Sequence, residues 1–257
     1  MDHTDNLRER IDALEDHARR IERRMRWWRG IACSVVMLGL STWALPSGTA
    51  QTGNQDYATG LARRIQALEY KLQYVTGGVN EVVITGANLR IVNGLDATGT
   101  TNGLGNLIVG YNEPRDVLGP DVRTGSHNIV VGNLHNFSSF GGLVVGQFNE
   151  ISEQFASVSG GVGNAATGSF SSISGGISNT ASANGASVSG GLSNRAHSSL
   201  SWVGGGTQNT ASANFASVSG GLGNRASGQA SSVSGGHNRS APEQFSWAAG
   251  ALFFDDF

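Results

Sequence analysis

Six histidines, one cysteine and a scatter of carboxylates are the side chains in this 257-residue sequence whose types could carry chemistry. A metal site needs His, Cys or carboxylate ligands at short, recurring spacings. His3, His17, His127, His135, His197 and His237 fall at unrelated phases, and His127 and His135 stand eight apart with no third ligand beside them. Paired glycines recur as they do in calcium-binding β-rolls, but those turns each need an aspartate, and no Asp occurs between Asp121 and Asp255. Polysaccharide-cleaving solenoids need clustered carboxylates, where the repeats bring only Glu150 and Glu153 near each other. Serines are abundant, yet none comes with the base and acid of a nucleophilic triad. Cys33 stands alone, so no internal disulfide forms. The expectation is no catalytic residue, no metal and no cofactor.

Any surface chemistry must therefore be carried by repeated elements. Val158, Ile173, Val188, Val203, Val218 and Val233 recur every 15 residues. Gly160, Gly175, Gly190, Gly205, Gly220 and Gly235 keep the same step, as do Asn164, Asn179, Asn194, Asn209 and Asn224. Degenerate copies sit around Ile108, Val130 and Val144, the last two 14 apart, and an insertion from Glu113 to Gly125 separates the first from the rest. A unit of this length is too short for a helix pair, and its Gly, Ser, Asn and β-branched content disfavours helix. Ala156, Val158, Gly160 and Val162 alternate with Ser157, Ser159 and Gly161, the period of a strand with one apolar face. Glycine pairs and the following Asn suit turns with left-handed backbone angles. Each unit is read as one coil of a mainly β, parallel solenoid of 14–15-residue repeats, with the valines as its core ladder and the glycines and asparagines as its turn ladder.

One Val or Ile per coil, a second apolar residue (Val162, Ile177, Leu192, Leu222) and small alanines make a thin core. Burial of so little apolar surface is set against the ordering of a whole coil, which points to a core shared between identical chains. The S-V-S-G-G and N-x-A-S elements over residues 104–250 resemble the short repeats of trimeric autotransporter adhesin heads. That resemblance implies a left-handed parallel β-roll, assembled as a homotrimer on a coiled-coil neck. Members of that family carry a C-terminal β-barrel anchor, for which the end of this sequence, Phe253-Phe254-Asp255-Asp256-Phe257, offers no counterpart. The resemblance thus extends to the head and not to the secretion route.

The first third of the chain is read differently. Leu7, Ile11, Leu14, Ala18, Ile21, Met25 and Trp28 follow a 4-3 spacing, the seam of a coiled coil. Trp27 to Leu45 is apolar but for four positions, long enough to cross a bilayer. Arginines crowd its entry while the next basic residue after it is Arg63, which places the N-terminus in the cytoplasm and the repeats outside it, periplasmic or at the cell surface. Small residues before Gln51 offer the alternative of a signal segment cleaved near Ala50 and a secreted product. After a polar stretch, Leu61, Ile65, Leu68, Leu72 and Val75 resume the heptad as a neck. The organisation expected is 1–26, cytoplasmic coiled coil; 27–46, membrane anchor or signal segment; 47–60, linker; 61–76, coiled-coil neck; 77–125, degenerate β coils with an insertion; 126–257, regular repeats and a C-terminal cap.

Between Phe137 and Gly250 the only charged residues are Glu150, Glu153, Arg195, Arg225, Arg239 and Glu243, too few basic groups to track a phosphate backbone, so no nucleic acid is expected. Phe155, Phe170, Phe215 and Phe245 share a phase with Leu200 and should line up along the solenoid, either filling a corner or contact between subunits, or forming a stripe for a glycan or a surface protein. The function expected is that of a non-enzymatic, surface-displayed structural or adhesive protein making multivalent contacts. The alternatives are a secreted or phage-like fibre component and, further off, an ice-binding solenoid built on the Ser-x-Ser rows or a polysaccharide-active solenoid enzyme.

Overall fold

The computed structural model describes residues 50–115 and 119–250, which fall into two units divided after Ala87. The expected cytoplasmic coiled coil, the membrane segment 27–46 and the C-terminal Phe cluster lie outside the described residues. Among the described residues no helix is long and apolar enough to cross a membrane.

The first unit holds helix α1 (Ala50–Lys71) and an antiparallel hairpin of β1 (Val75–Gly77) and β2 (Val82–Ile84), with Val75 opposite Ile84. The helix begins inside the stretch expected to be a linker, and it ends before the expected neck does. Leu61, Ile65 and Leu68 lie on α1, about half exposed; Leu72 sits in the turn that follows, and Val75 pairs in the hairpin rather than continuing the heptad. Gly77 closes β1 at the hairpin turn, where a Cβ would come within 2.8 Å of the Glu81 carbonyl oxygen.

The second unit is a parallel β-solenoid. It opens with β3 (Leu107–Val109), β4 (Ile129–Asn133), β5 (Asn136–Phe137), β6 (Leu143–Gln147) and β7 (Glu150–Ile151). Two-residue strands follow in pairs, from Ser157–Val158 with Ala165–Ala166 to Ser240–Ala241 with Trp247–Ala248. Alternate strands form a ten-stranded sheet, which carries the valines, and an eight-stranded sheet, which carries the alanines. Register is one repeat per coil: Ser157 pairs Ser172, which pairs Ser187, and Ala165 pairs Thr180, which pairs Arg195. In the earlier coils the step is 14, with Val130 opposite Val144. Residues 77–106, expected as degenerate coils, enter neither solenoid sheet; the first solenoid strand is β3. The period-2 alternation explains the interior, since in the two-residue strands from Ser157–Val158 to Ser240–Ala241 the first side chain points out and the second is buried.

Candidate functional site

The core ladder lies where the spacing places it. Val158, Ile173, Val188, Val203, Val218 and Val233 are fully buried, facing Ala166, Ala181, Ala196, Ala211, Ala226 and Ala241 of the alanine sheet. In the earlier coils Phe137 and Ile151 take the alanine positions, so the interior is widest there and narrows to Val against Ala.

The asparagines are more than turn formers. Asn149, Asn164, Asn179, Asn194, Asn209 and Asn224 are buried, and each is used three times. The side-chain Nδ2 of Asn194 donates to Gly190 O at 2.8 Å and to Gly206 O in the next coil at 2.9 Å, while its Oδ1 accepts the backbone N–H of Asn209 at 2.9 Å. This satisfies the Gly190 carbonyl and the Asn209 N–H, which a tight turn would otherwise leave dry, and adds a second donor to Gly206 O, which also accepts the N–H of Leu192. The steric demand falls on the second glycine of each pair and not on the first. A Cβ on Gly191, where φ is +87°, would overlap Gly206 O and Asn194 Nδ2, whereas one on Gly175 or Gly220 would meet nothing.

His135 opens this ladder and Arg239 closes it. His135 is 1% exposed; its Nδ1 accepts the N–H of Asn149 at 3.2 Å, and its Nε2–H donates to Val131 O at 3.1 Å. Those partners require the neutral ring. Burial pushes its pKa below the usual imidazole value, Arg115 lowers it further, and the backbone hydrogen bonds oppose both. Arg115, buried beside it, donates to Leu134 O, Phe148 O and Asn149 O, and its guanidinium lies 4.2 Å from the centre of the Phe148 ring. Desolvation lowers the Arg115 pKa, with Glu150 and Asp121 acting in the other direction. These groups brace the first coils.

Two further histidines, His127 and His197, are also engaged. A shallow cleft is lined by Arg90, Asn93, Asp96, Thr98 and His127, but Nε2 of His127 accepts the Asn93 N–H and Nδ1 holds Thr98 O, so both ring nitrogens secure the loop. His197 Nδ1 lies 2.9 Å from Ser182 Oγ on the exposed side of the alanine sheet. Its neighbouring charges are Arg195 and Arg225, which lower its pKa after burial does, and no carboxylate orients it. No group of three or more His, Cys, Asp or Glu side chains gathers among the described residues. No protein-family model matches the chain, and no curated protein matches it in sequence.

What the coil presents outward are two apolar edges. Val162, Ile177, Leu192 and Leu222, which the sequence suggested as part of the core, instead stand outside it with 42%, 52%, 45% and 43% of their surface exposed. They sit between the valine strand and the alanine strand of each coil and pair from coil to coil as isolated bridges. Six residues, Ser159 to Asn164 in the first regular coil, carry the chain from one sheet to the other, and Val162 among them stands between the left-handed Gly161 and Gly163 with its side chain outside the interior. At the opposite edge, where an alanine strand turns into the next valine strand, stand Phe155, Phe170, Phe215 and Phe245, with φ between +56° and +61°. Leu200 shares that corner, and Gly185 and Ala230 occupy it in other coils. Phe155 and Phe170 stack with ring centres 5.3 Å apart, and Phe140 meets Phe155 edge to face. The shared phase therefore does line the rings up, on a strained corner rather than inside the coil.

Two residues escaped the sequence reading. Trp202 and Trp247 replace serine on the outer face of the valine sheet, and the change that accompanies each was the available signal: Gly204 and Ala249 stand where the other regular coils have Ser159, Ser174, Ser189, Ser219 and Ser234.

Proposed function

We propose that the chain is a non-enzymatic structural and adhesive solenoid, a homotrimer displayed outside the cytoplasm by its N-terminal segment. The observation that carries this reading is the unbroken run of exposed Val162, Ile177 and Leu192, resumed at Leu222 after Thr207. A soluble surface does not keep an apolar row at regular pitch without covering it. A second and third copy of the same chain have the same pitch, so every coil finds an equivalent partner. The half-exposed seam of Leu61, Ile65 and Leu68 on α1 supports the same conclusion, because a single helix leaves such a seam without a partner. The resemblance to trimeric adhesin heads supports a copy number of three. Display at a surface rests on the apolar segment 27–46 and its arginine-rich flank. Engaged histidines and scarce carboxylates support a mechanical role, in which many weak contacts along the solenoid are multiplied by valency.

The test is the light-scattering mass of the full chain, corrected for detergent where the N-terminal segment binds it. A mass of three chains is expected, and Ile177→Asp with Leu192→Asp should reduce it to one while the β circular dichroism persists. A wild-type monomer would overturn the reading.

A further inference from the structure

We propose that the outer face of the valine sheet, from Ser157 to Ala249, is a binding surface for a neutral polysaccharide, with Trp202 and Trp247 as the rings on which its sugars stack. The proposal deepens the adhesive reading and rests on it, by naming the ligand class.

The two tryptophans are set in the same way. Trp202 stands in line with Ser187 and Ser217, and Trp247 beside Ser232. The indole N–H of Trp202 donates to Ser189 Oγ at 3.2 Å, and that of Trp247 to Ser234 Oγ at 2.7 Å. Each acceptor is the serine of the preceding coil at the position two residues beyond the tryptophan's own place. A Cβ on Gly204 would come within 2.9 Å of Trp202 Cζ2 and Cη2, so the six-membered ring covers the spot where other coils carry a serine side chain. The ring is thus drawn along the sheet from its own coil towards the coil before it. Trp202 keeps 39% of its surface exposed, as an indole with one side on the sheet would, and Trp247, in the last of the described strands, keeps 68%. A large apolar ring fixed by its N–H costs little conformational entropy when a ligand arrives.

The rest of the face decides what that ligand is. Its outward positions are Ser157, Ser172, Ser187, Ser217 and Ser232 and the serines two residues further on, with no formal charge among them. Ser172 Oγ donates to Ser187 Oγ, and Ser217 Oγ to Ser232 Oγ, leaving hydroxyl capacity free on the outside. An uncharged hydroxyl face with flat aromatic rings complements an uncharged chain that has hydroxyl groups at its rim and C–H faces on its rings, the chemistry of a pyranose polymer. The tryptophans stand three coils apart, about 14 Å at the usual strand spacing, a span of a few sugar units. An acidic polymer would be drawn instead to the alanine sheet, where Arg195 and Arg225 lie in register two coils apart and make no ion pair with the described residues.

The experiment is affinity electrophoresis of the full chain, in a detergent without a sugar headgroup, through gels containing hydroxyethylcellulose, a galactomannan or glycol chitin, with dextran sulfate as the acidic counterpart. The comparison variant is Trp202→Ser with Trp247→Ser, which restores the repeat's own residue in both coils. Retardation by a neutral polymer, weakened about tenfold in the variant with unchanged mass and circular dichroism, is the expected result. No retardation by any neutral polymer, or equal retardation of the variant, would overturn the proposal. So would a changed mass in the variant, which would make the tryptophans a contact between chains, or retardation by dextran sulfate alone. Adhesion of the wild type to cells is measured beside it. Adhesion of the wild type without retardation by any neutral polymer sinks this proposal and leaves the adhesive reading standing; polymer binding without adhesion does the reverse.

Discussion

Asn164 and Asn179 stand one coil apart, and the Oδ1 of the first accepts the backbone N–H of the second at 2.9 Å. The same bond recurs from Asn179 to Asn194, Asn194 to Asn209 and Asn209 to Asn224. A side chain in each coil thereby holds the main chain of the next, and the thin apolar interior is braced by a buried polar column.

Removing one member should open the column on both sides. Asn194→Ala orphans the N–H of Asn209 and the carbonyl of Gly190, while the carbonyl of Gly206 keeps the N–H of Leu192. With about 1–3 kcal/mol for a buried group left unpaired, a loss of about 3 kcal/mol or more is expected, read as a lower midpoint in chemical denaturation. An unchanged midpoint would mean that water replaces the amide.

The two glycines of each pair should behave differently. Gly191→Ala puts a Cβ onto Gly206 O at a left-handed φ and should destabilise by about 2–4 kcal/mol. Gly175→Ala, which meets open space, should change stability by less than about 1 kcal/mol. Thermal melts of the two variants side by side make the comparison.

Acid should loosen the first coils. Because the folded chain holds His135 neutral, with its pKa lowered by burial, the unfolded chain binds the extra proton as pH falls through the ordinary imidazole value of about 6.5. Stability contributed at this site is complete above that pH and declines below it, until the lowered folded pKa is reached. His135→Asn places the ladder residue at the ladder's first step and should flatten the pH dependence of the melting temperature between about pH 6.5 and 5. A variant with the wild-type slope would remove His135 from this role.

The strained corner offers a fourth test. Phe215 holds φ at +61° with its ring mostly exposed, a conformation that costs an ordinary side chain about 1–2 kcal/mol and that Asn adopts more readily. Phe215→Asn should therefore leave the stability of the solenoid equal or higher in denaturant titrations. A marked loss would show that the ring packs against something in the assembled protein.

The period of 15 was legible because each repeat spends its side chains at fixed phases, and the valine ladder follows directly from alternation. Alternation failed at Val162 and its equivalents, which lie in the connection between two strands, where left-handed residues such as Gly161 and Gly163 break the two-residue period. The asparagines read as turn residues because their partners lie in the coils above and below, 12 to 15 residues away, and local pattern does not reach that far. The requirement for the second glycine is of the same kind, set by a carbonyl one coil on. Arg115 was illegible for another reason: it comes from the insertion, outside the repeat, and reaches back to carbonyls of Leu134, Phe148 and Asn149. The tryptophans break the consensus, and a reading that looks for what recurs passes over what does not.

The in-register stacking from Ser157 to Val233 makes the coils interchangeable in sequence position. Loss or duplication of a 15-residue block in that stretch joins a Val to a Val and an Asn to an Asn, so the gene can lengthen or shorten the protein in whole steps without any compensating change. A deletion of one residue more or fewer leaves a dislocation at a single level. Length is thus a heritable variable, set separately from the surface that each coil displays.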